Sequence, residues 1–118
     1  MGAARIIRIG GHGAQGEEGT PSDVLAGEPR TRTLNHYTDP TGCFFSGVWE
    51  SSPGKWRVSY TENEFVALLS GRVVLTADGA ASETFVAGDA FVIPAGFVGT
   101  WETVEPVRKL YAIYQAPG

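Results

Sequence analysis

The stretch GDAFVIPAGFVGTWE, Gly88 to Glu102, decides how this chain folds. It reads as strand, turn, strand. AFVIP (90–94) is a short run of β-forming residues, the PAG of 94–96 punctuates it, and VGTWETV (98–104) resumes an extended pattern. The same grammar holds on both sides. From Phe44 onward, runs rich in Val, Phe, Tyr, Trp and Thr alternate with PG, SG, DG and AGD turns. FFSGVWE (44–50), KWRVSY (55–60), EFVALLS (64–70), RVVLTA (72–77), ETFVA (83–87) and VRKLYAIYQ (107–115) complete about eight candidate strands. No stretch has convincing helical apolar spacing. Many short strands with almost no helix predict an all-β antiparallel sandwich or barrel.

The rest of the composition bounds the chain. At 118 residues, 42% hydrophobic and 11% aromatic, it has the length of one domain and the means for a modest core. Residues 1–40 are dominated by Gly, Pro, Ser, Thr and charges, and read as an N-terminal arm or loop of the same domain, ahead of a barrel at 41–118. Thirteen acidic against nine basic residues give a formal charge of −4 without blocks, which argues against a nucleic acid or an anionic membrane as partner. The apolar run at Ile6, Ile7 and Ile9 is too broken for a signal peptide or a membrane span, so a cytoplasmic location is expected. The single cysteine, Cys43, allows no intrachain disulfide and reads as a small half-buried hydrophobe rather than a nucleophile. RIGGHGAQG (8–16) lacks the lysine and hydroxyl residue that a phosphate loop places after its last glycine.

Alternation along strands separates the faces, because successive side chains point to opposite sides of a sheet. In KWRVSYTE the even residues Trp56, Val58 and Tyr60 form the inner set. The same parity carries Glu62 and Glu64 inward if Asn63 marks a tight turn that does not flip the register. In VRKLYAIYQ either face can be buried: the odd choice brings Val107, Lys109, Tyr111 and Ile113 inside, the even one Arg108, Leu110, Ala112 and Tyr114. A buried lysine needs a partner, and Glu62 or Glu64 can supply it.

The spacing of glycine and proline resembles the cupin superfamily. Glu64, FVALLS and Gly71 match the end of its first motif, and Gly88, DAFVI, Pro94, Ala95 and Gly96 match its second. The blocks GVWESSPGKWRVSY, ENEFVALLSG and PAGFVGTWETVEPVRKLY are similar to a subgroup of small cupins related to the ureidoglycine aminohydrolase cupin domain and to the cupin part of an ethanolamine-utilisation protein. The resemblance implies a double-stranded β-helix, or RmlC-like jelly roll. It also implies a homodimer in which terminal strands extend the partner's sheet. It departs from the family at the metal. Val58, Tyr60 and Gly99 stand where three histidine ligands would be, and only Glu64 keeps a ligating side chain. A cupin metal needs about three imidazoles and a carboxylate, whereas this chain has only His12 and His36, both in the arm. A metal-free site without a cofactor is expected.

Tyr60, Glu62, Glu64, Trp101, Lys109 and Tyr111 are therefore the candidate site. Trp101 shares the parity of Gly99 and can fill the volume a metal would take; Trp101, Trp56 and Tyr111 serve equally well as core. A Glu64–Lys109 pair is either a general acid and base or a structural ion pair locking two strands. The expected function is binding of a small polar metabolite, of amino or ureido type. Two alternatives stand beside it: a metal-independent hydrolase, lyase or isomerase, and a non-catalytic structural or regulatory dimer.

Overall fold

The computed structural model describes residues 4–10 and 14–118. Nine strands make up the fold: β1 (Glu17–Gly19), β2 (Val24–Ala26), β3 (Thr31–Thr38), β4 (Phe44–Ser51), β5 (Gly54–Ser59), β6 (Asn63–Ala77), β7 (Glu83–Val86), β8 (Ala90–Ile93) and β9 (Val98–Tyr114). All pairings are antiparallel, and there is no helix among the described residues. Hence no helix there is long and apolar enough to cross a membrane.

Two long strands organise the rest. β6 and β9 pair from Asn63↔Tyr114 to Ala77↔Gly99 and cross together between two sheet layers. In the first layer the order is β1, β3, β4, the second half of β9, the first half of β6 and β8. In the second it is β2, β5, the first half of β9, the second half of β6 and β7. The layers face each other as a jelly roll, with the short strands β1, β2, β7 and β8 at the sheet edges.

The crossing explains the main difference from the sequence reading. Breaks were expected between Ser70 and Arg72 and between Val104 and Val107, yet both strands run through, with register shifts at 68–73 of β6. Gly71 makes this corner possible. Its φ is +95°, and a Cβ there would strike the carbonyl of Pro106 on the neighbouring strand. A bulged, bent ladder replaces a turn. Four candidate strands thus become two, while the stretch expected as an arm supplies β1, β2 and β3. β3 pairs with β4 from Thr31↔Ser51 to Thr38↔Phe45. Its residues gave no sequence signal because TRTLNHYT is polar on both faces.

Packing is unequal inside the barrel. Toward β7 and β8 the interior is filled by Val66, Leu68, Val73, Leu75 and Ile93, with Phe85 stacked on Phe91 at 4.0 Å between centroids. Toward β4 and β5 it opens into a cavity.

Candidate functional site

The cavity has a volume of about 530 Å³ and is open to solvent. Its floor is aromatic. Trp49 from β4, Trp56 from β5 and Trp101 from β9 meet there, Trp49 edge-on to Trp101 at 5.3 Å and Trp56 roughly parallel to Trp101 at 6.3 Å. Trp101 is held in place by its indole N–H, which donates to Thr103 Oγ1 at 2.9 Å; Thr103 in turn shares a 3.0 Å hydrogen bond with buried Ser51.

Lys109 sits over this floor. The odd face of its strand is the inner one: Val107, Lys109 and Tyr111 are buried, whereas Arg108 and Tyr114 reach the surface. Its ammonium donates to Glu64 Oε2 at 2.7 Å, and the two side chains are only 5% and 6% exposed. The same nitrogen lies 4.5 Å from the Trp49 ring centroid and 4.7 Å from that of Trp101. A charge so little exposed is tolerable because a carboxylate neutralises it and two π-faces attract it.

The rim is built by the β5–β6 connection against the loop after β8. Tyr60 donates its backbone N–H to Phe97 and accepts from Gly96, and the Asn63 side chain accepts from Ala95 N–H. These contacts fix the turn, so Glu62 and Glu64 both line the cavity, as the uninterrupted parity requires. Tyr60 lines the cavity, and its hydroxyl, which has no hydrogen-bond partner among the described residues, is not fully enclosed. Burial, then Glu64 and Glu62, push its pKa far above the usual phenol value. Burial, reinforced by Glu64, also raises the pKa of Glu62. Tyr111 donates to Asn35 Oδ1 at 2.8 Å, and burial followed by the Glu64 charge pushes its pKa up to about 12.

All six candidates thus line one cavity: Tyr60, Glu62, Glu64, Trp101, Lys109 and Tyr111. Trp49 and Asn35 were missed. The parity of Phe45, Gly47 and Trp49 in FFSGVWE was a usable signal for the first, whereas Asn35 lies in the stretch expected to be an arm.

The donor set does not fit a cupin metal. Val58 and Gly99 offer no ligand, His12 lies outside the described residues, and the described residues hold no group of three or more His, Cys, Asp and Glu suited to an ion. Gly99 is more than a missing imidazole. A Cβ built there would collide with the backbone carbonyl of Thr76, so β6 has closed onto the position and any side chain would force the strands apart. His36 is engaged elsewhere, accepting from Gly10 N–H at 3.4 Å.

Residues 38–111, more than half of the chain, match the EutQ-like cupin domain. The chain belongs to this family. Among solved structures, this cupin is similar to a protein of unknown function from Pseudomonas syringae pv. tomato: 28% identity over 86% of this chain and 44% of that one, with a TM-score of 0.75. The Clostridium difficile EutQ protein aligns at 18% identity over 75% and 64% of the two chains, TM-score 0.66, which shows the shared fold alone. A DUF861 family protein from Thermotoga maritima is 31% identical over 54% of this cupin and 73% of its own length, TM-score 0.53. The cupin spans less than half of the Pseudomonas protein and under two thirds of EutQ. No curated protein matches it in sequence.

Proposed function

We propose that this cupin binds a small polar metabolite in its lumen without a metal. The carrying observation is the composition of the cavity: an indole floor for an apolar body, with Tyr60 and Glu62 offering unengaged polar groups at the rim. Ligand sites are commonly concave, largely apolar and equipped with a few placed polar groups. An amino- or ureido-type compound, able to donate hydrogen bonds to a carboxylate, suits this wall. An open cavity of about 530 Å³ beside Trp101 favours binding over a purely structural barrel.

The test is a thermal-shift screen of amines, ureides and amino acids, followed by calorimetry on each hit. A specific binder whose affinity falls at least tenfold in both Glu62→Gln and Tyr60→Phe supports the reading. A hit with unchanged affinity in both variants places binding elsewhere, and a screen without hits counts against the site.

A second reading draws on the 2.7 Å contact of Glu64 and Lys109, which would act as a proton-transfer pair. Its signature is a bell-shaped pH–rate profile that collapses in Glu64→Gln and in Lys109→Ala. Self-association of the chain fits the outer face of the first sheet, where Phe65 and Val92 are cross-strand neighbours and both exposed. Sedimentation of wild type and Phe65→Lys tests it.

A further inference from the structure

We propose that the ligand carries a single positive charge, an ammonium or amidinium, and that Glu62 is its anchor while Lys109 occupies the indole cage as a built-in cation. The inference rests on the binding role of the lumen and adds the charge of what enters it. Four charged residues line the wall: Arg57, Glu62, Glu64 and Lys109. Arg57 is engaged outside, its guanidinium donating twice to Asp78 at 2.7 Å. Glu64 and Lys109 cancel each other.

Among the described residues, Glu62 is the one charged lining group without an ion-pair partner. The lumen therefore holds one unbalanced negative charge at its rim, above a floor that is already neutral. An anion would meet Glu62 with nothing to offset the repulsion, since the ammonium of Lys109 is bound to Glu64. A dication would have no second site, because the faces of Trp49 and Trp101 are taken by the same lysine. A monocation balances the cavity. Its remaining atoms would lie along Trp56, Val58 and Ile113, with Tyr60 as hydrogen-bond partner.

The experiment uses three probes of one shape and different charge, benzylamine, benzyl alcohol and benzoate, titrated by NMR into the full chain at pH 7. Glu62→Gln is the decisive variant: the residue is partly exposed and unpaired, so the fold should survive, and a wild-type-like spectrum confirms it. The expected result is that benzylammonium binds at least tenfold more tightly than the alcohol and benzoate more weakly still. This preference should vanish in Glu62→Gln and persist in Arg72→Ala, a surface control on the far part of β6. Equal binding of amine and alcohol, or a preference that survives Glu62→Gln, overturns the charge assignment while leaving a lumenal site intact. Failure of all three probes to bind up to their solubility overturns both.

Discussion

Arg108 and Lys109 are adjacent in β9, and each donates to a glutamate at 2.7 Å, yet the two ion pairs live in different worlds. Arg108 faces out and shares Glu50 with Arg32, with side chains 37% and 31% exposed in its own pair. Lys109 faces in, and its pair is almost completely enclosed. Distance alone says nothing about what such a contact contributes. Water competes for the outer pair and screens it. For the inner pair, at 5% and 6% exposure, little solvent is left to stabilise either partner alone, so its two charges are bound to one fate.

The largest effect should come from separating that inner pair. Lys109→Met leaves Glu64 buried and uncompensated, which is expected to cost about 3–5 kcal/mol in a denaturant titration. The double variant Lys109→Met/Glu64→Leu should recover most of the loss. If the single variant costs no more than Arg108→Ala, the contrast between the two pairs collapses.

A smaller loss sharpens the account of the cage. Trp49→Leu keeps an apolar floor but removes one π-face from the ammonium, for roughly 1–2 kcal/mol. That loss should shrink when the variant is made in a Lys109→Met background, because there is no longer a cation to hold. A double-mutant cycle measures the difference.

The outer pair should matter least. Arg108→Ala is expected to lower stability by about 0–1 kcal/mol, and the effect should fade in molar salt. Glu62 supplies a further check by pH. Its pKa is raised in the folded state from the ordinary 4.5, so the native protein holds this proton in a range where the unfolded chain has lost it. Stability therefore declines as pH rises from about 4.5 through the raised value, with the full cost present above it. Glu62→Gln should flatten this slope in melting curves taken across the acidic range. An unchanged slope would mean that the carboxylate is fully hydrated in the folded protein.

Much of the inner surface was legible because strands alternate. Trp56, Val58, Tyr60, Glu62 and Glu64 fall on one parity, and Pro94 with Gly96 announced the loop that braces their rim. Lys109 was ambiguous, since Leu110 and Ala112 are as apolar as its own neighbours, and only the pairing of β9 between β4 and β6 decides the face. Asn35 carries no local signal, and its place beside Tyr111 depends on the register of β3 against β4. Gly99 misleads in an informative way. From sequence it is an absent ligand; in the fold it is a point of close backbone approach that excludes a side chain altogether.

The course of β9 also dictates the order in which the protein can be assembled. β4, β5 and the length of β6 all wait for residues 98–114 as their hydrogen-bonding neighbour. During synthesis from the N-terminus, the tryptophans of β4 and β5 emerge well before the strand that covers them. Until then they are sticky surface on unpaired edges, the state most exposed to aggregation. Closure is a late, long-range event that joins both layers at once, so this cupin should fold slowly for its size and be sensitive to any lesion that delays its last strand.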